Sequence, residues 1–195
     1  MPPLPYEIDT VCVYCGSRYG DTTVFSEAAK TLGRGLAENG FRLIYGAGDI
    51  GLMGEVARSC LAAGGHAVGV IPRHILEWEV GKRDLTALII TDTMHERKKV
   101  MFANAGAVVA LPGGAGTLDE VIEVLTWRQL GLHQKPVFLL NTDNYWGPFL
   151  DLIDHVIKRG FAGESFRDFI TVCESADEVL AALKAERSAV EAAAE

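Results

Sequence analysis

Along the chain, short runs of apolar residues alternate with segments whose apolar positions recur every three to four residues. The runs Thr10–Cys15, Arg42–Tyr45, Ala67–Ile71, Ala87–Ile90, Ala107–Leu111, Val137–Leu140 and Phe169–Val172 predict seven strands. The helical period predicts helices at Thr22–Asn39, Gly51–Ala63, Met94–Ala105, Leu118–Leu130, Trp146–Arg159 and Ala176–Ser188. Strands that are apolar throughout suit a parallel sheet covered on both faces. Strand–helix alternation then implies an open, doubly wound α/β sheet, mainly parallel, with helices on both faces. No linker, repeat or composition shift divides the pattern. A single domain over residues 1–195 is therefore expected, with mobile ends at 1–8 and 189–195. In such sheets ligands sit beyond the carboxyl ends of the strands. Five strand ends carry candidate turns: Gly16-Ser17, Gly46–Gly51, Pro72-Arg73, Thr91-Asp92 and Pro112–Thr117.

Composition narrows the classes. Of 195 residues 49% are hydrophobic and only 23% charged, which argues against disorder. With 18 Lys+Arg against 26 Asp+Glu, the formal charge of −8 supplies no overall positive field for nucleic acid or an anionic membrane. Cys12, Cys15, Cys60 and Cys173 lie in or beside apolar runs. The Cys12-x-x-Cys15 spacing falls inside a strand-like run rather than at a helix N-terminus, so buried, inert thiols are expected. A second ligand pair for zinc is missing, and no metal is expected. The first residues lack a basic region followed by a long apolar core, and the apolar runs fall far short of the ~20 residues of a membrane span. A cytoplasmic location is the expectation.

Three stretches carry candidate chemistry. Gly46-x-Gly48-x-x-Gly51 follows the second strand, yet the next strand ends Val70-Ile71-Pro72-Arg73 with no acidic residue to hold a ribose hydroxyl. This argues against NAD and leaves the loop as either a tight packing turn or a phosphate contact. Pro112-Gly113-Gly114-Ala115-Gly116-Thr117-Leu118-Asp119-Glu120 joins an apolar strand to a periodic helix. Its glycines allow backbone N–H groups close to a ligand, and the helix dipole favours an anion such as phosphate. Thr117-x-x-Glu120 also reads as a capping box, so Glu120 is open to capping, to facing a ligand, or to both. Met94-His95-Glu96-Arg97-Lys98-Lys99 opens another helix with three cations set against its dipole, an arrangement that suits an anionic substrate.

Pro112–Glu120 resembles the P-G-G-x-G-T-x-x-E motif, and Met94–Lys98 the M-x-x-R-K motif, of the LOG ("Lonely Guy") family, often mislabelled lysine decarboxylases. Cys15-Gly16-Ser17, Gly46–Gly54, Thr126–His133 and Lys135–Asn141 resemble it too, and the likeness spans roughly residues 9 to 180. It implies a Rossmann-like fold, no metal or other cofactor, and a homodimer. The implied reaction cleaves the N-glycosidic bond of N6-substituted adenosine 5′-monophosphates, with AMP as a simpler relative. Free base and ribose 5-phosphate are released through an oxocarbenium-like state. On this resemblance Glu120 stabilises that cation and orients or deprotonates water, with Arg97 as its catalytic partner. Gly16, Ser17, Gly113, Gly114, Ala115, Gly116 and Thr117 would form the substrate cradle, and Lys98 would add charge for the phosphate. Glu79 and Thr126 match substrate-binding positions, although Trp78-Glu79-Val80 departs from the common pattern. Two other readings stand beside this one. A non-catalytic nucleotide-binding protein, similar to molybdenum-cofactor carriers, needs the cradle but not the Arg97–Glu120 pair. Decarboxylation needs a Schiff-base lysine, for which Lys98 and Lys99 are available by type.

Overall fold

The computed structural model describes residues 7–76 and 85–194. Seven strands form one parallel sheet: β1 (Thr10–Tyr14), β2 (Arg42–Tyr45), β3 (Ala67–Pro72), β4 (Ala87–Thr91), β5 (Ala107–Ala110), β6 (Val137–Leu140) and β7 (Thr171–Cys173). Their spatial order is β4-β3-β2-β1-β5-β6-β7, with every neighbouring pair parallel. The helices are α1 (Thr23–Glu38), α2 (Gly51–Ala62), α3 (Arg73–Leu76), α4 (Met94–Ala103), α5 (Ala115–Gln129), α6 (Gly147–Lys158) and α7 (Ala176–Ala194).

The pleat of β1 divides the interior. Val11, Val13 and Cys15 join one apolar cluster with Leu32 of α1, Val56 of α2 and Val179 of α7. Cys12 and Tyr14 point to the other, with Met101 of α4, Val124 of α5 and Ile153 of α6. Period-two alternation within an all-apolar strand thus fills both layers of a doubly wound sheet. At the edge strand β4 this cover is incomplete, for Leu88 and Ile90 remain exposed. Close approach of α1 to α2 depends on Gly33, where an added Cβ would lie 2.2 Å from the Val56 carbonyl.

Several boundaries differ from the sequence expectation. α5 starts at Ala115 rather than Leu118, because Gly114 takes the extended N-cap conformation and the helix begins inside the glycine-rich stretch. A 3-10 turn over Glu164–Phe169 delays β7 to Thr171. The short α3 was not anticipated. Ile8, placed in an expected mobile end, is buried in the core, and α7 runs on to Ala194. All four cysteines are free and buried. Burial pushes the Cys60 thiol up to about 11 and those of Cys12 and Cys15 well above the usual range, as inert thiols require.

Sheet order locates the site. From β1 the chain winds outward through β2, β3 and β4, then returns across the sheet to β5 on the other side of β1. That reversal opens a crevice beyond the carboxyl ends of β1 and β5, the place where ligands bind in this architecture.

Candidate functional site

A cavity of about 220 Å³ occupies that crevice. β1 delivers Tyr14, Cys15, Gly16 and Ser17 to it, and the turn after β5 delivers Gly114, Ala115, Gly116 and Thr117. Arg97 of α4 and Glu120 of α5 close its floor together with Gly46, Met53 and Met101.

The helix N-termini differ in how they are finished. α1 is capped by Thr22, whose hydroxyl accepts from the Val24 N–H. α4 carries a full capping box, Thr93 with Glu96. By contrast, the N-cap of α5 is Gly114, which has no side chain to offer. The first N–H groups of any helix lack partners within the helix. In α5 those of Ala115, Gly116 and Thr117 stand at the cavity with the positive end of the dipole behind them. An anion satisfies both.

The capping-box reading of Glu120 is therefore corrected. Thr117 lies inside the helix, where its hydroxyl fills the space that a Cβ on Gly113 would need. Glu120 sits in the second turn of α5, buried, with Oε1 3.5 Å from Arg97 Nη1. Arg97 is itself tied down: its Nε donates to the Val70 carbonyl at 3.1 Å, and Nη2 donates to the Gly46 carbonyl at 3.3 Å. Burial raises the Glu120 carboxyl from its ordinary 4.5 to about 7, the neighbouring Arg97 cation pulling against that rise. A carboxylate poised near neutrality beside a fixed guanidinium can take a proton from water and can face a developing cation.

Only one of the three consecutive cations enters the cavity. Lys98, expected at a phosphate, is buried between Asp119 at 2.9 Å and Glu123 at 3.1 Å, tying α4 to α5 outside the cavity wall. Lys99 is exposed. Thr126 lies on the outer face of α5 and donates its hydroxyl back to the Ile122 carbonyl at 2.8 Å, so the structure does not bring it to the cavity. Glu79 lies outside the described residues. Gly113 borders a second cavity of about 290 Å³ that shares Gly16, Ser17 and Gly114 with the first. Tyr145, which bounds this second cavity, was missed. It follows β6, and applying the strand-end rule to that strand leads straight to Asn141–Tyr145. In the Gly46–Gly51 loop, Gly46 meets Arg97 and Gly51 adopts φ 68° against the Ser17–Arg18 backbone. The loop thus serves as a tight packing turn that holds the arginine.

Among the described residues no lysine lines either cavity, so a Schiff-base cofactor finds no anchor there. No helix among those residues is long and apolar enough to cross a membrane. Residues 53–183 match the family model described as "Possible lysine decarboxylase". The chain is 44% identical over 174 residues to the cytokinin riboside 5′-monophosphate phosphoribohydrolase LOG of Oryza sativa subsp. japonica, covering 89% of this chain and 72% of the rice protein. A cytokinin riboside 5′-monophosphate phosphoribohydrolase of Arabidopsis thaliana is 42% identical over 175 residues, covering 90% and 77%. Among solved structures, the molybdenum cofactor binding protein of Rippkaea orientalis superposes with a TM-score of 0.69 at 21% identity, over 92% of this chain and 97% of that one. This last likeness is one of fold.

Proposed function

The chain belongs to the LOG family of cytokinin riboside 5′-monophosphate phosphoribohydrolases, and from that premise we propose that its β1–β5 cavity hydrolyses the N-glycosidic bond of adenosine 5′-monophosphates, N6-substituted ones included. The observation that carries this reading is the Arg97–Glu120 pair at 3.5 Å beneath the uncapped start of α5. The amides of Ala115, Gly116 and Thr117, with Ser17 opposite, receive the 5′-phosphate. The ribose then lies over Glu120. As the bond from C1′ to the base nitrogen lengthens, its electron pair leaves with the base and positive charge grows on the sugar. The Glu120 carboxylate faces that charge and takes the proton of the water attacking C1′; the departing base is protonated from solvent. Arg97 holds Glu120 in place and lowers the cost of ionising it.

Free-base release from AMP, GMP and N6-isopentenyl AMP tests the proposal. Release from the adenine nucleotides, with GMP poorer, is expected; no release from any of them overturns it. A non-catalytic carrier would bind AMP without releasing base, and it would leave the buried Arg97–Glu120 pair without a task.

The same reading places a single-domain protein in the cytoplasm, without a nucleic acid partner, acting as a homodimer. α5 turns Val121, Val124 and Leu125 into the core while Leu118 and Ile122 stay exposed on its other side, beside the cavity rim, and Met94 is exposed on the adjoining α4. A second copy covering this face removes that apolar surface from water. Light scattering is expected to give twice the monomer mass for the wild type and the monomer mass for Ile122→Glu.

A further inference from the structure

Tyr145 stands on the turn after β6, at the same edge of the sheet as the cavity. Its phenol O–H donates to the Gly113 carbonyl. The ring lies edge-on to Phe25, with centroids 6.0 Å apart, and edge-on to Trp146 at 5.3 Å. With Phe25, Leu52 and Pro112 it walls the second cavity, on the far side of the glycine turn from Arg97 and Glu120.

We propose that Tyr145 is a positioning residue for the substrate phosphate, acting through the Gly113–Gly114 peptide. A planar trans peptide points its C=O and N–H in opposite directions. With the Gly113 carbonyl held on the phenol, the Gly114 N–H is turned away from Tyr145 and the second cavity, toward the side where the α5 amides gather. The chain is held on either side, Gly113 against Thr117 and Gly16 and the Gly114 carbonyl by the Leu118 N–H at 3.1 Å, while between two successive glycines the peptide plane itself rotates at small cost. The phenol is what fixes the last donor before the helix.

Tyr145 is in turn held from the sheet edge. The Asn141 N–H donates at 2.7 Å to the carbonyl of Cys173, the last residue of β7. The Asn141 side chain accepts from the Trp146 N–H at 2.8 Å and donates to Glu174 at 3.2 Å. Asp143 and Asn144, at φ 55° and 52°, fold the segment between into a tight turn. A continuous set of contacts therefore runs from β7 through Asn141 and Tyr145 to the amide that meets the phosphate.

The inference rests on the nucleotide reading above, and its test separates the two. Tyr145→Phe keeps the ring packing and removes only the O–H. Base release from AMP is measured for wild type and variant, with adenosine as a competing ligand that lacks the phosphate. A mispositioned donor to a charged group is expected to raise the AMP KM about tenfold, with kcat within about threefold and the adenosine inhibition constant unchanged. Asn141→Asp, which keeps the acceptor for Trp146 and loses the donor to Glu174, is expected to shift KM in the same selective way but less. An unchanged AMP KM in Tyr145→Phe overturns the inference, as does an equal weakening of AMP and adenosine. A wild type that neither binds nor cleaves AMP overturns the nucleotide reading along with it.

Discussion

Glu120→Gln is expected to lower base release from AMP by on the order of 10³-fold while making the protein more stable above neutral pH, because the proton transfer it removes typically contributes 10²–10⁴. Gln keeps the length and much of the shape of Glu but cannot carry the negative charge or accept the proton of the attacking water. No helix cap is lost, since the N-cap of α5 is Gly114. For stability, the sign follows from the direction of the shift. Glu120 titrates at about 7 in the folded protein against an ordinary 4.5, so between those values the folded state holds a proton that the unfolded state has released. Folding stability therefore falls as pH rises through that window, and above it the fold bears the whole cost of a buried carboxylate. That cost is about 3 kcal/mol at most, and Glu120→Gln escapes it. Two measurements check this: a pH profile of kcat/KM for the wild type, expected to rise through about 7, and urea unfolding of both proteins at pH 5 and pH 8. Equal stability at pH 8, or near-normal turnover by the folded variant, would refute the assignment.

The seven strands and the fold class were legible because burial on both faces leaves a local mark, an unbroken apolar run. The strand-end rule likewise points to half of the cavity wall, namely Gly16, Ser17, Gly46 and Gly114 to Thr117. What escaped depended on partners distant in sequence. Of the Thr-x-x-Glu stretches at Thr93–Glu96 and Thr117–Glu120, only the first is a capping box. Nothing local separates them; the difference is that Gly114 starts α5 three residues ahead of Thr117, which leaves Glu120 deeper in the helix and facing the crevice. Lys98 misled for the same reason. Its type and place suit a phosphate, but α5 packs beside α4 and presents Asp119 and Glu123 to it. The Gly46–Gly51 spacing announced a turn without saying what the turn would touch, since Arg97 lies 51 positions further on.

That contact makes Gly46 a direct control on the position of Arg97. A Cβ added there would fall 1.8 Å from Arg97 Nη2 and 2.9 Å from Cζ, with Met53 Sδ next at 3.2 Å. The atoms in the way are the ends of flexible side chains, so Gly46→Ala is expected to fold by displacing the guanidinium rather than by disturbing the sheet. Arg97 then loses the Gly46 carbonyl and its fixed distance to Glu120, and misplacement on the scale of an ångström costs about 10²-fold in rate. The pH profile carries the diagnostic. Arg97 is the foremost of two cations, with Lys98, that hold the Glu120 carboxyl down against burial. With Arg97 moved away, Glu120 ionises at a higher pH, and the rising limb of kcat/KM should move alkaline of its wild-type position near 7. Loss through unfolding alone would lower the profile without moving it. A Gly46→Ala protein with a wild-type melting temperature, reduced kcat/KM and an unshifted limb would show that Arg97 does not govern the ionisation of Glu120, and would remove the coupling on which this account of the pair depends.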